Sequence, residues 1–329
     1  MNPIRVACLL LLSLVSLPAG RDAFAAAAVA GGTRYPDERF DFALIGDTPY
    51  DAVQETNYFP NLVAELNRAR IKFVVHNGDF KAGATPCTDE LFERRARQFQ
   101  AIRPPFVFLF GDNEWSDCGA VKTNAFDPLD RLEKLRALFT AGDLSLGQRP
   151  MRLERQSADP AFARFRENVR WVRGRVVFAG LNVPGSENNF GTAEYGPRNA
   201  ANLAWIRDAF ALARREQLRA VMFILQANPH FDLPATNRVR RGFNDMLALL
   251  ERETIAFGKP VVFVHGDSHI FRIDQPLFGT RSKRRIENFT RVETYGNPDV
   301  HWIQVSVDWR DPEVFTFRPR HIRANFIRH

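Results

Sequence analysis

The sequence predicts an α/β fold in which two sheets pack face to face with helices outside, and three patterns of apolar residues point to it. From residue 42 to residue 139, short apolar runs alternate with segments of helical periodicity. A second series of the same kind begins at Arg175, and from residue 271 onward the strands become short, separated by turns rather than helices. Strand–helix alternation argues for a partly parallel sheet, and two such series are accommodated by two packed sheets. With 329 residues, 45% of them hydrophobic, the chain has ample apolar content for a large core. No internal repeat, low-complexity segment or long linker divides it.

In order, Phe42–Ile45 reads as the first strand, followed by a helix near Asn61–Ala69 with Leu62, Val63 and Leu66 on one face. Phe73–Val75 is the second strand, and the helix near Asp89–Ile102 carries Leu91, Phe92, Phe99 and Ile102 at helical spacing. Phe106–Phe110 precedes a helix through Leu129, Leu132, Leu135 and Phe139. In the second series Val176–Val183 is a strand, and the polar stretch PGSENNFG is a loop. A helix over Ala200–Arg215, the strand Ala220–Leu225, a helix over Val239–Ala256 and the strand Val261–Val264 follow. Phe271–Ile273, Trp302–Val307 and Val314–Phe317 close the chain as short strands.

The first residues stand apart. A basic start, the apolar run Ala7–Pro18 and the small residues of Ala23-Phe24-Ala25 predict a secretory signal over residues 1–25. The run is shorter than the roughly 20 residues that span a bilayer, so export to the periplasm or the exterior is expected, without stable membrane insertion after cleavage. In an oxidising compartment Cys87 and Cys118, which lie in neighbouring loops, are expected to form a disulfide. The net charge of +7 comes with basic clusters at Arg281–Arg285 and Arg318–Arg323. No helix-turn-helix or aromatic-interleaved platform accompanies them, so they read as solvated surface and no specific nucleic-acid partner is expected.

The chemistry concentrates at the strand ends. The first strand runs into Gly46-Asp47-Thr48-Pro49-Tyr50, the second into His76-Asn77-Gly78-Asp79, and the third into Gly111-Asp112-Asn113-Glu114. Later strands end in Gln226-Ala227-Asn228-Pro229-His230 and His265-Gly266-Asp267-Ser268-His269. In open α/β sheets the ligand site lies beyond the carboxyl ends of the strands. Glycine there permits a tight turn and close backbone approach. Several short carboxylates in one crevice repel, so the cluster requires cations or shared protons. Carboxylates mixed with imidazoles are ligands for divalent metals.

This order of blocks resembles the calcineurin-like metallophosphoesterases, over about residues 40–307. The resemblance implies a four-layered α/β/β/α sandwich with two mixed β-sheets, in a single domain over residues 34–329. It also implies two bound metals. Asp47 would bind the first, Asp79 would bridge both, Asp112 would stand at the family's Asn ligand, His230 would be the lone His, and His269 the final His. Asp267 replaces a ligand His, Pro49 stands where the first block has one, and Asn113 replaces the His that assists the leaving group. Tyr50 or water is a candidate for the vacancy at 49, and His265 a candidate substitute in the last block.

An oxygen-rich site with this many carboxylates favours Mn, Mg or Ca over Zn or Fe. Lys81 and Arg272 are candidate compensating cations. The implied function is an exported metal-dependent phosphoesterase, hydrolysing a small-molecule phosphate mono- or diester by a metal-bound hydroxide. Asn113 would donate one hydrogen bond, and leaving-group protonation would fall to water, Tyr50 or His265. The PGSENNFG loop would overhang the site. The histidines missing at 49 and 113 support the alternative, a catalytically weak metal- or anion-binding protein on the same fold.

Overall fold

The structure, a computed structural model, describes residues 38–326. The predicted signal over residues 1–25 and the first four positions of the predicted domain, 34–37, lie outside the described residues.

One sheet has five strands in the order β12 (Phe315–Arg320), β11 (Trp302–Val307), β1 (Phe40–Ile45), β2 (Val74–His76) and β3 (Phe106–Phe108). β1, β2 and β3 are parallel, and β11 and β12 extend the sheet antiparallel. The other sheet has seven, in the order β4 (Glu154–Arg155), β5 (Val169–Arg173), β6 (Val176–Gly180), β7 (Ala220–Ile224), β8 (Val261–His265), β10 (Phe289–Glu293) and β9 (Arg272–Asp274). Its centre, β6 to β10, is parallel and its edges antiparallel. Both sheets are therefore mixed; the parallel steps β1 to β2, β2 to β3, β6 to β7 and β7 to β8 are made by helical crossovers, as the alternation required, while β8 reaches β10 through β9 and a hairpin.

The facing surfaces of the sheets meet in an aromatic core. Phe42 stacks on Phe73 at 4.6 Å, and Trp171 on Phe178 at 5.2 Å. On the outer face of the first sheet lie α1 (Phe59–Arg68), α2 (Asp89–Gln100) and α3 (Pro128–Phe139), joined by Leu62, Phe92, Phe99 and Leu135. On the outer face of the second lie α4 (Tyr195–Arg215) and α5 (Asn244–Phe257), joined by Trp205, Phe210, Leu247 and Leu250. Four layers, α/β/β/α, result. Strands covered on both faces read as unbroken apolar runs, which is why β1, β6, β7 and β8 were visible in the sequence.

The differences have physical reasons. β10 was hidden because FTRVE carries Arg291 and Glu293; both are buried, Arg291 paired with Asp274 and Glu293 with Arg272. β5 was hidden likewise by its arginines, of which Arg170 pairs with Glu154 and lies over the Trp205 ring. The helix expected from residue 239 begins at Asn244. A 3₁₀ turn, Arg238–Phe243, precedes it, and the carbonyl of Glu187 comes so close to Gly242 that a Cβ there would lie 2.0 Å from it.

Register fixes where the loops emerge. Ile45 lies beside His76 and His76 beside Phe108, while Gly180, Ile224 and Val264 stand in line. The carboxyl ends of the parallel strands in each sheet are thus level, and the motif-bearing loops leave them together.

Candidate metal centre

Each motif turns sharply as its strand ends. Asp47, Asp79, Asp267 and His269 all have positive φ (49°, 61°, 75° and 62°). For residues with a Cβ this costs of order 1 kcal/mol apiece, and such strain concentrates at functional sites. Two glycines make room for the carboxylates so directed. A Cβ at Gly111 would lie 2.0 Å from Asp79 Oδ1, and one at Gly266 would lie 2.1 Å from Asp47 Oδ2.

The side chains converge on the Tyr50 hydroxyl. It lies 3.1 Å from Asp79 Oδ2, 3.4 Å from Asp47 Oδ1 and 3.1 Å from His269 Nε2, and it accepts from Asn113 Nδ2 at 3.1 Å. Asp79 also accepts the Asn113 backbone N–H at 3.1 Å and Gln226 Nε2 at 3.2 Å. Asp47 accepts the Asp267 N–H at 3.1 Å, and His269 is oriented by the Asn297 carbonyl, 2.9 Å from its Nδ1. A Cβ at Gly185 would meet Asp112 Oδ2 at 2.5 Å and Asp267 Oδ1 at 3.0 Å, so these two carboxylates face the same spot.

The loop at 185–189 overhangs this second spot, as expected. Ser186, Glu187, Asn188 and Asn189 are all left-handed, an arrangement that costs roughly 1–2 kcal/mol per residue. Arg198 holds the turn through the Asn188 carbonyl and side chain, and the Asn188 amide donates to the Gly242 carbonyl. The turn delivers the Ser186 hydroxyl to Asp112 Oδ2 (3.0 Å) and Asp117 Oδ1 (2.9 Å), and the Gly185 N–H to Gln226 Oε1 (2.6 Å).

The electrostatics are those of an under-neutralised acidic pocket. Burial, reinforced by mutual repulsion, pushes Asp79 and Asp112 well above the usual carboxylate range. Burial also raises Asp47, takes Asp267 to about 6 and takes Glu114 to about 7, although Glu114 accepts the Gly111 and Asp79 N–H groups. Tyr50 is likewise raised, by burial and then by the charges of Asp79, Asp47 and Asp112. At His269 burial opposes protonation, but the hydrogen bond and charge of Asp47, the Asn297 carbonyl and the charge of Asp267 together outweigh it, and the net shift is upward. Lys81, fully buried after Asp79, is the lysine within electrostatic reach of Glu114, Asp79, Asp117 and Asp112.

Do these residues fit divalent metals? Asp47 Oδ2 is buried without a hydrogen-bond partner, and Asp79 and Asp112 are raised by burial and by the neighbouring carboxylates. An oxygen-rich set of this kind suits a hard divalent cation, which would remove the penalty. Among the described residues no group of three or more His, Cys, Asp or Glu is already drawn together to hold a metal ion. Tyr50, Asn113, Gln226 and Ser186 bond the carboxylate oxygens instead.

Of the residues expected from the sequence, Asp47, Asp79, Asp112, Asp267, His269, Tyr50 and Asn113 come together. Two do not. His230 has its ring against Phe243, 6.4 Å between centroids, and its backbone N–H on Asn228 Oδ1; none of its contacts is to the cluster. From the same motif it is Gln226, just beyond β7, that reaches Asp79. His265 is fully buried beneath Gly266, with Nδ1 at that residue's carbonyl, and burial lowers it to about 3. A neutral, enclosed imidazole does not suit a proton donor. Arg272 is committed to Glu293. Sequence reasoning missed Gln226, Glu114, Asp117 and the hydroxyl role of Ser186; the first was legible as a polar residue at a strand end, where an imidazole was sought. Cys87 and Cys118 are joined, as expected, and tie the loop after β2 to the loop after β3.

No family model and no curated protein matches the chain. Among solved structures, PhoD aligns over 85% of this chain and 65% of its own, at 12% identity and TM-score 0.54. A purple acid phosphatase from yellow lupin (Lupinus luteus) seeds aligns over 88% and 55%, at 12% identity and TM-score 0.50. GAP50, the anchor in the inner membrane complex of Plasmodium, aligns over 87% and 89%, at 12% identity and TM-score 0.47. The chain spans less than two thirds of PhoD and of the purple acid phosphatase, and at such identity the likeness is one of fold.

Proposed function

We propose, for a chain that carries the calcineurin-like metallophosphoesterase fold, that it is an exported metal-dependent phosphoesterase with an oxygen-rich centre. The observation that carries this reading is the convergence of Asp47, Asp79 and His269 on the Tyr50 hydroxyl, together with the spot at Gly185 that Asp112 and Asp267 both face.

Asp47, His269 and Asp79 would hold one divalent ion, and Asp79, Asp112 and Asp267 a second, with Mn, Mg or Ca preferred. When bound, such ions supply Lewis acidity towards a phosphoryl oxygen and make a coordinated water more acidic. The protein's own share is positioning. Asn113 Nδ2, anchored on the Lys81 carbonyl at 3.0 Å, gives its second proton to the Tyr50 hydroxyl at 3.1 Å; a bound phosphoryl group would draw on that proton and on the Tyr50 hydroxyl, where equatorial oxygens gather charge. Tyr50, held protonated, is also placed to give a proton to a departing oxygen. Without a histidine at 113, esters with good leaving groups are the expected substrates, small phosphate mono- or diesters rather than nucleic acid. A secretory signal over residues 1–25, preceding a single domain over residues 34–329, would place the activity outside the cytoplasm.

The test is metal content by elemental mass spectrometry, alongside hydrolysis of a mono-aryl and a bis-aryl phosphate with Mn, Mg, Ca, Fe and Zn. Bound divalent ions and turnover, both lost in Asp79→Ala, are the expected result. Ions bound with no turnover for any metal would turn the reading into a metal-binding protein, and neither would remove it.

A further inference from the structure

At the end of the second sheet opposite the acidic cluster, the charge reverses. β6, β7 and β8 run parallel, so Arg175, Arg219 and Lys259, which stand just before them, share the edge where the strands begin. Lys259 is lowered by burial and then by Arg219 and Arg175, which places these cations within reach of one another. β10 starts at the same edge, and the chain enters it through a hairpin. That hairpin is closed by the Gly279 N–H on the Arg284 carbonyl (2.8 Å) and the Ile286 N–H on the Leu277 carbonyl (2.9 Å). Its tip is Arg281, Lys283, Arg284 and Arg285, all exposed; none forms an ion pair among the described residues, and Arg285 lies over the Phe278 ring at 5.4 Å.

Two features distinguish this tip from an ordinary solvated charge run. It is held rigidly, because Thr280 bonds the Glu251 carboxylate of α5 through both its N–H (2.6 Å) and its hydroxyl (2.5 Å). It is also flanked by exposed apolar side chains, Phe278 at 49% and Ile255 at 57%. A groove of about 410 Å³ runs between the hairpin and α5, lined by Phe231, Leu247, Leu277, Phe278 and Lys283. A second, shallow depression joins Ile255 and Gly258, the sequence neighbour of Lys259, to Arg284 and Arg285. Of the nearby carboxylates, Glu251 is committed to Thr280, and Glu287 lines the depression.

We propose that this edge docks the protein on the surface of an anionic phospholipid bilayer, with the acidic cluster at the far end of the sheet facing away. Cations without an ion-pair partner, such as those of the hairpin tip, give up no carboxylate when they approach lipid phosphates, and each adds to the attraction. Phe278 and Ile255 supply apolar contact that a headgroup layer accepts and a nucleic-acid backbone does not use. A centre turned away from the surface would act on soluble substrates. The inference is independent of the activity proposed for that centre.

Co-sedimentation with vesicles tests it. The purified protein is expected to sediment with phosphatidylcholine vesicles containing phosphatidylglycerol, to remain in solution with pure phosphatidylcholine, and to be released by salt. The variant Arg281→Gln/Lys283→Gln/Arg284→Gln/Arg285→Gln should bind at least about tenfold more weakly with an unchanged melting temperature. Phe278→Ser/Ile255→Ser should weaken binding severalfold; an N-terminal leader, where retained, is common to all forms. Equal sedimentation with both vesicle types, no salt dependence, or undiminished binding by the four-residue variant would overturn the proposal. Tighter binding to a random-sequence DNA duplex than to the vesicles would assign the surface to nucleic acid instead.

Discussion

At one oxygen, the Tyr50 hydroxyl, four side chains from four loops meet. Replacing it with Phe keeps the ring against His269, 5.1 Å between centroids, and removes only the hydroxyl. Loss of one donor to a developing charge costs about 10²–10³ in rate, so Tyr50→Phe should lower kcat on aryl phosphates by up to that factor while still binding metal. An unchanged kcat would exclude the hydroxyl from the reaction. A second residue reports on pH. His76 is buried between the Thr48 carbonyl and the Gly78 N–H, and burial lowers it to about 4, against about 6.5 in an unfolded chain. Between those values the unfolded chain takes up a proton that the folded one refuses, so stability drains away as pH falls through the window. His76→Leu should be less stable at neutral pH yet show a shallower fall from pH about 6.5 to about 4. Parallel profiles from urea unfolding would contradict the assignment. The placement of Asp47 and Asp79 at strand ends was legible because Gly-Asp after an apolar run is a local signal; the position of Tyr50 as a hub was not, because nothing in its neighbours in sequence says what will surround it.

Among the elements, the disulfide has the clearest energetic consequence. Cys87 and Cys118 are both fully buried and close a loop with a sequence separation of 31. Chain-entropy arithmetic puts the stabilisation from such a loop at about 3–4 kcal/mol. Cys87→Ala/Cys118→Ala should lower the urea-extrapolated stability by about that amount, and because the bridge joins the loops of Asp79 and Asp112 it should also weaken metal binding. A drop below about 1 kcal/mol would mean that packing alone sets these loops. Helices were read well, since a 3.6-residue apolar stripe survives any tertiary context, and α1, α2 and α3 lie close to their expected spans. Strands β5 and β10 were missed because buried ion pairs place charged letters inside them. The left-handed turn at 186–189 left only its polar, turn-rich composition in the sequence; its handedness depends on Arg198, in α4, gripping Asn188.

For the whole molecule, an unbalanced acidic pocket means that stability and metal occupancy are coupled. A ligand that binds only the folded state at a hundred times its Kd adds about 2.7 kcal/mol, so Mn or Ca should raise Tm by several degrees and a chelator should reverse the rise. Asp79→Ala should show no rise; if it responds like the unaltered protein, the ions bind elsewhere. The sequence by itself determined the layered α/β architecture and the end of the strands at which chemistry gathers. Both follow from periodicity and from short motifs whose conformational needs are local. Only the tertiary structure decided which ligand-grade side chains meet, drawing in Gln226, Glu114 and Ser186 and leaving His230 and His265 outside. Where a side chain points at a strand end depends on one or two backbone dihedrals and on the loops packed across from it, and these come from residues as much as 220 positions away in the chain, the separation between Asp47 and Asp267.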